Sequence, residues 1–137
     1  MMRRATLPTI WMAFFSRQGL CAETCLRTDG RWSILHDHQR LDIYRKPDGQ
    51  MILEARIAAL PEASDAAALL LERALHFSTL QMKSRREVSS LDAAKTALML
   101  QRCVQAKEYL PELEAEIGEF LAAVDHWRQV VTRHPTD

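Results

Sequence analysis

The sequence predicts an α+β domain in which helices pack on an antiparallel twisted sheet. The final segment, from Leu110 to about residue 133, has apolar residues at steps of three and four, which is the spacing of an amphipathic helix. Residues 32–59 contain short strand-like segments separated by turn sequences, and a helix-prone segment begins near residue 64. The predicted order is α-βββ-α-ββ-α, and it favours a sheet with the helices gathered over it.

The first predicted helix lies near the start of the chain. Thr6 is a suitable N-cap, and Pro8 suits the first helical turn, where a missing N–H group costs nothing. Gly19 is a suitable terminator. The apolar side chains expected on one face of this helix are Leu7, Ile10, Trp11, Phe14 and Phe15.

Three strands are predicted next, at residues 32–36, 41–45 and 51–59. The segment Lys46-Pro47-Asp48-Gly49-Gln50 supplies a proline and a glycine at suitable turn positions. The second and third strands are therefore expected to form a hairpin.

The second helix is expected to start at Ser64 or Asp65, after Pro61 closes the third strand. Its apolar side chains cover more than one face, which predicts a second apolar partner in addition to the sheet. We expect the following side chains to face the sheet: Leu70, Leu71, Ala74, Phe77 and Leu80. The others point elsewhere: Leu69, Leu75 and Met82.

Two more strands are predicted at residues 87–91 and 96–105. The segment between them has a helix-like composition, so a helix over residues 92–101 is the main alternative. The last helix then presents one apolar stripe: Leu110, Leu113, Ile117, Phe120, Leu121, Val124, Trp127, Val130 and Val131. Four glutamates in its opening turns, at positions 112, 114, 116 and 119, suit the positive end of the helix dipole.

Composition limits the classes of function. The chain has 137 residues, with 18 basic and 18 acidic side chains, which fits one domain over residues 1–137 and offers no overall charge to attract nucleic acid or an anionic membrane. No apolar run is long enough to span a membrane. Pro8 interrupts the apolar stretch near the start and Arg17 follows it closely, so we do not expect a signal peptide.

No catalytic, cofactor or metal site is predicted. The chain lacks a glycine-rich phosphate loop and a nucleophile elbow. Cys21 and Cys25 are too few to form a zinc site on their own, and His36 and His38 are interpreted as polar residues of a turn. Three cysteines in a chain of this size favour reduced thiols and a cytoplasmic location.

The element order and several segments resemble the class I type III secretion chaperones, the Tir chaperone or CesT-like family. The similar segments are Ile52-Leu53-Glu54-Ala55-Arg56-Ile57, Leu60-Pro61, the leucine-rich second helix, Leu98-Met99-Leu100-Gln101-Arg102 and Trp127-Arg128. The resemblance covers nearly the whole chain. Two features differ: the chain is neutral where members are usually acidic, and Lys83-Ser84-Arg85-Arg86 replaces the usual small-residue join. We interpret this basic stretch as a solvated loop, with a cargo or docking contact as the alternative.

The resemblance implies a bacterial cytoplasmic chaperone that dimerises and binds an extended N-terminal segment of an effector protein, without enzymatic activity. The candidate effector contacts are Leu7, Trp11, Phe14, Phe15, Trp32, Ile34, Tyr44 and Ile52. The candidate dimer contacts are Leu69, Leu75, Leu80, Met82, Leu98 and Leu100. A homodimer is expected. The alternative is a subunit of a heterodimeric chaperone, or an adaptor for a secretion regulator.

Overall fold

The computed structural model describes residues 7–36, 38–81 and 87–132, except for the side chains of residues 79–81. Five strands form one antiparallel sheet in the order β1-β2-β3-β5-β4, so the predicted α+β fold class is confirmed. The elements are α1 (Thr9–Arg17), α2 (Ala22–Cys25), β1 (Trp32–His36), β2 (Gln39–Arg45), β3 (Met51–Ala59), α3 (Ser64–Gln81), β4 (Val88–Leu91), β5 (Ala97–Cys103) and α4 (Leu110–Thr132).

The elements follow the predicted order, with one addition. The single-turn helix α2 has no counterpart in the prediction, because one turn is too short to show a period of 3.6 residues. The Thr24 hydroxyl donates to the Cys21 carbonyl at 2.9 Å within this turn. The predicted cap Thr6 and the basic stretch at residues 83–86 lie outside the described residues.

Local turn chemistry ends α1 and joins β2 to β3. At the end of α1, the Leu20 N–H donates to the Phe15 carbonyl at 2.8 Å, and Gly19 adopts a positive φ of 72°. This is the Schellman arrangement, which favours glycine at that position. In the β2–β3 turn, the Asp48 carboxylate accepts the Gln50 N–H at 2.9 Å, and Gly49 has a φ of 92°.

The β4–β5 connection is a turn held by one carboxylate. Asp92 accepts the Thr96 N–H at 2.7 Å, the Thr96 hydroxyl at 2.8 Å and the Ala97 N–H at 3.1 Å. The Thr96 hydroxyl bond, reinforced by the backbone donors, lowers the pKa of Asp92 below its ordinary value. These bonds turn the chain before β5, so the alternative helix over residues 92–101 is wrong.

The chain divides into two compact units, the first formed by Met1–Leu53 with Cys103–Glu119 and the second by Glu54–Arg102 with Phe120–Asp137. The expectation of one domain over residues 1–137 stays a prediction. The elements β3, β5 and α4 each have residues in both units.

The first unit has an aromatic cluster on α1 at its core. Trp11, Phe14 and Phe15 are each 1% exposed. The Phe14 ring lies 6.2 Å from the Trp11 ring in an edge-to-face arrangement and 6.3 Å from the His36 ring of β1. Such aromatic pairs add to the free energy gained from area burial. Phe14, a member of the α1 stripe predicted from periodicity, therefore contacts β1.

One carboxylate in the first unit ties α4 to the segment that follows β5. Glu116 is 7% exposed and accepts the backbone N–H groups of Gln105 and Ala106 at 2.8 and 2.6 Å. The glutamates of this helix are expected to compensate the helix dipole, and an exposed carboxylate can do this as well as a buried one. Glu116 instead fixes the position of residues 104–107, because a buried carboxylate that accepts two N–H groups holds both of them.

The second unit joins α3 to α4 through aromatic rings. The Phe77 ring of α3 meets the Trp127 ring edge-to-face at 4.7 Å and stacks on His126 at 5.2 Å. Next to Trp127, the Arg128 guanidinium donates to the Arg56 carbonyl of β3 at 3.2 and 2.6 Å. Arg128 therefore ties α4 to β3, a contact that helical periodicity does not predict.

Two polar pairs also lie inside the second unit. Arg102 and Glu87 form an ion pair at 3.2 Å, and their side chains are 4% and 3% exposed. Gln101 precedes Arg102 in β5, and its side-chain amide donates to the Glu54 carboxylate at 2.5 Å. Burying these groups is tolerated because each has a partner of matching chemistry.

The apolar faces of the two long helices largely match their predicted stripes. In α4, Leu113, Ile117, Val124 and Val131 are at most 1% exposed. In α3, the residues at steps of four and three are buried, namely Leu70, Ala74 and Phe77. Leu71, predicted to face the sheet, is 36% exposed because it lies about 100° around the helix from Leu70.

We expect Trp127→Ala to lower the free energy of unfolding by about 3 kcal/mol or more, since the ring is buried against Phe77 and its removal leaves a cavity. Gln129→Ala is the control, because Gln129 is exposed on the same helix. Urea unfolding followed by circular dichroism measures both variants. Equal, small effects would show that the ring does not pack in the second unit.

We expect Glu116→Ala to lower the free energy of unfolding by about 3 kcal/mol, because the Gln105 and Ala106 N–H groups lose a charged acceptor. Glu112→Ala, in the exposed first turn of the same helix, should cost about 0.5 kcal/mol. The same unfolding assay distinguishes them. A Glu116 variant as stable as the Glu112 variant would contradict the proposed role of this carboxylate.

Candidate protein-binding surfaces

A groove lies beside the start of α1 in the first unit, with a volume of about 370 Å³. Ile10 and Trp11 of α1 line it together with Met51, the β2–β3 turn and residues 104–107. The Val104 N–H donates to the Met51 carbonyl at 2.9 Å, and Glu116 holds the next two residues. We call this region the α1 groove. Its lining combines the apolar side chains of α1 and Met51 with polar residues of the β2–β3 turn and of residues 104–107, and hydrogen bonds hold its walls.

A second concave region lies on the β1–β2 hairpin, with a volume of about 430 Å³, and we call it the β1 hollow. It is lined by Arg27, Ser33, Ile34, Leu35 and Arg40. Strand register pairs Ser33 with Asp42 and Leu35 with Arg40, so these four side chains share one face of the sheet. β1 is an edge strand, and Leu35 is 73% exposed on it. The hollow therefore combines an apolar side chain, two guanidinium groups and a sheet edge.

A third surface lies on α3 in the second unit and has a volume of about 470 Å³. Leu69, Glu72, Arg73, Leu75 and His76 line this α3 surface. Leu69 and Leu75 are 43% and 70% exposed. Exposed leucines that line one concave region are typical of a contact with another protein.

The eight candidate effector contacts all lie in the first unit. Six of them are buried: Trp11, Phe14, Phe15, Trp32, Ile34 and Ile52. Leu7 and Tyr44 are partly buried. Trp11 reaches the α1 groove and Ile34 lines the β1 hollow. Their contact with an effector stays a prediction.

The six candidate dimer contacts are divided between surface and interior. Leu69 and Leu75 lie on the α3 surface, whereas Leu98 and Leu100 are 3% and 0% exposed within the chain. Met82 and the side chain of Leu80 lie outside the described part of the structure. Their role in a dimer interface also stays a prediction.

Sequence reasoning missed several exposed apolar residues. They are Met12 on α1, Leu35 on β1, and Val88 and Leu91 on β4, with exposed fractions of 48%, 73%, 62% and 40%. The alternation of β1 could have identified Leu35, because Ile34 and Leu35 must point to opposite faces of the sheet. β4 is the other edge strand, so Val88 and Leu91 lie at the opposite end of the strand order from Leu35.

Within residues 7–36, 38–81 and 87–132, no group of three or more histidine, cysteine or acidic residues is placed to hold a metal ion. Cys21, Cys25 and Cys103 are free thiols. The helices in these same ranges are too short or too polar to cross a bilayer. The arrangements described above have the chemistry of protein binding: apolar side chains beside charged groups and a sheet edge.

Comparison with solved structures shows the same fold at low sequence identity. The chain is similar to one in the crystal structure of the ExsC–ExsE complex, with a TM-score of 0.65, 18% identity, and coverage of 89% of this chain and 90% of that one. It is also similar to a chain in the HopA1–SchA chaperone–effector complex, with a TM-score of 0.53, 15% identity, and coverage of 86% and 97%.

A further similar structure is that of the Yersinia pestis type III secretion chaperone SycH in complex with a stable fragment of YscM2, with a TM-score of 0.57, 12% identity, and coverage of 89% and 99%. No curated protein sequence matches the chain significantly. The model of the Tir chaperone protein (CesT) family matches residues 13–128, which include part of α1 and most of α4. The chain therefore belongs to the CesT family of type III secretion chaperones.

Proposed function

We propose that this protein is a cytoplasmic, non-enzymatic chaperone that binds the extended N-terminal segment of a type III secretion effector and keeps it competent for secretion. The observation that carries the proposal is the β1 hollow, where Leu35 is exposed on an edge strand. An extended chain can pair its backbone with the part of this edge beside Leu35, beyond the bridge that Leu26 forms with Trp32, and place alternate side chains against the sheet. The α1 groove, where Ile10, Trp11 and Met51 lie beside polar residues, offers a second site in the same unit.

Three further findings support this proposal. The chain belongs to a chaperone family, and solved structures of similar fold include a chaperone–effector complex and a secretion chaperone bound to a protein fragment. The three free thiols suit a reducing cytoplasm. An extended segment pays an ordering cost on binding, so a chaperone of this kind needs exposed apolar side chains to offset it, and Met12 and Leu35 supply some.

The proposal includes a homodimer formed through the α3 surface. Leu69 and Leu75 would be the central contacts, and the exposed apolar residues of β4 would extend the interface. A helix that buries Leu70, Ala74 and Phe77 internally and exposes leucines elsewhere on its surface needs a second partner to cover them.

We expect the purified protein to have twice the chain mass of 15.7 kDa by light scattering. Leu75→Asp should yield a monomer, because a charge cannot enter an apolar interface without a partner. Met12→Asp, on α1, should leave the dimer mass unchanged. A wild-type monomer would contradict the homodimer. A chain that is insoluble alone and soluble with a second small chaperone would support the heterodimer instead.

We expect Leu35→Ser to weaken retention of a co-expressed effector N-terminal segment by about tenfold, because the exposed leucine loses its burial against the segment. Tyr109→Ser is the matched control, since Tyr109 is also more than half exposed and lies in the same unit. Copurification measures retention, with circular dichroism confirming the fold. Full retention by the Leu35 variant would exclude the β1 hollow as an effector site.

A further inference from the structure

The α3 surface has a charged group at its centre. Leu69, Glu72 and Leu75 follow one another at steps of three residues and all line this surface. Each step of three changes the side-chain direction by about 60°, since a helix turns about 100° per residue. Glu72 therefore lies between the two exposed leucines, both along the helix and around it. A partner that covers both leucines also covers the Glu72 carboxylate.

A covered carboxylate needs a cation, because burying an unpaired charge is costly and a well-placed ion pair offsets much of that cost. α3 contains one arginine, Arg73, and no lysine. Arg73 lines the same surface, but adjacent residues on a helix do not face each other. His76 lies one turn beyond Glu72, yet an imidazole does not carry the permanent charge of a guanidinium. A permanent cation for Glu72 is available on a second copy of the chain, which presents its own Arg73.

Two-fold symmetry makes this contact reciprocal. In a dimer of identical chains, a contact from residue i to residue j is repeated from j to i. With the two-fold axis near residues 72 and 73, the interface holds four charges of alternating sign, and each carboxylate lies across from a guanidinium. Arg73 is partly buried and also interacts within its own chain. Its five N–H donors allow it to keep that interaction and to bind a further acceptor.

Resting on the proposed homodimer, we propose that Glu72 of each copy pairs with Arg73 of the other, and that these two ion pairs make the α3 surface select a second copy of this chain. Charge complementarity identifies the occupant, because a surface with one acidic and one basic residue side by side is complementary to itself. A different chain without both charges would leave a covered charge unpaired. The pairs therefore favour the homodimer over mixed dimers.

The test reverses one charge at a time in the full-length protein and measures the dissociation constant of the dimer by light scattering over a concentration series. E72R and R73E should each raise the dissociation constant at least about tenfold, because either reversal places like charges across the interface twice. The double swap E72R/R73E should return the dissociation constant to within about threefold of the wild-type value, since both pairs form again with their signs exchanged.

A mixture of the two single variants gives a second measurement. E72R then carries two arginines at these positions and R73E two glutamates, so the mixed dimer should form although neither variant dimerises well alone. Native mass spectrometry detects it when one variant carries an affinity tag. E62R and K46E are the controls, because they make the same charge changes at exposed positions outside α3 and should dimerise like the wild type.

Circular dichroism checks that each variant is folded. If a charge reversal unfolds the chain, the neutral variants E72Q and R73Q replace it. Each should raise the dissociation constant of the dimer, and E72Q/R73Q should raise it no more than the stronger single change, because both changes remove the same interaction. Additive effects of the two neutral variants would contradict the pairing.

The outcomes separate this inference from the proposed function. A wild-type monomer contradicts the proposed homodimer, and the inference fails with it. A wild-type dimer whose E72R and R73E variants dimerise equally tightly overturns the ion pairs and leaves the homodimer intact. Single reversals that weaken the dimer without rescue in the double swap or in the mixture also overturn the inference, because the two charges then act separately.

Discussion

The burial of one helix face constrains most of this structure. The apolar stripe of α4 supplies core side chains to both compact units, with Leu113 and Ile117 in the first and Val124 and Val131 in the second. Polar contacts from the same helix then fix its neighbours. Glu116 holds the segment after β5, and Arg128 binds a carbonyl of β3. Loss of the stripe would release these bonds too, because a charged hydrogen bond persists only while packing keeps its partners in place.

The candidate binding surfaces follow from what this core leaves outside. On α1, burial of Trp11, Phe14 and Phe15 leaves Met12 exposed, since it points away from the stripe. On β1, burial of Ile34 forces Leu35 outward, because successive side chains of a strand point to opposite faces of the sheet. Exposed apolar residues at an edge strand carry an aggregation hazard unless a partner covers them, and a chaperone of extended chains makes use of the same property.

Polar groups give these surfaces a definite shape. In the β1 hollow, Asp42 lies beneath two arginines and restricts where their guanidinium groups can point. In the α1 groove, the wall formed by residues 104–107 keeps its position through a buried carboxylate. Preorganised walls lower the cost of ordering that association otherwise incurs, which matters most when the partner itself is disordered. Surfaces of this kind bind and orient a chain without changing a covalent bond.

The sequence by itself determined most of the elements, though not α2, because local rules govern them: the apolar period of α4, the glycine at the end of α1, and the Pro-Asp-Gly turn that joins β2 to β3. It also identified the family through element order. The tertiary structure decided which apolar residues remain at the surface. Phe14 and Ile34 are candidate contacts by residue type, yet both are buried, whereas Leu35 is exposed. It also brought Arg27 next to Arg40, thirteen positions along the chain, because strand register and a turn decide that proximity and no local pattern encodes it.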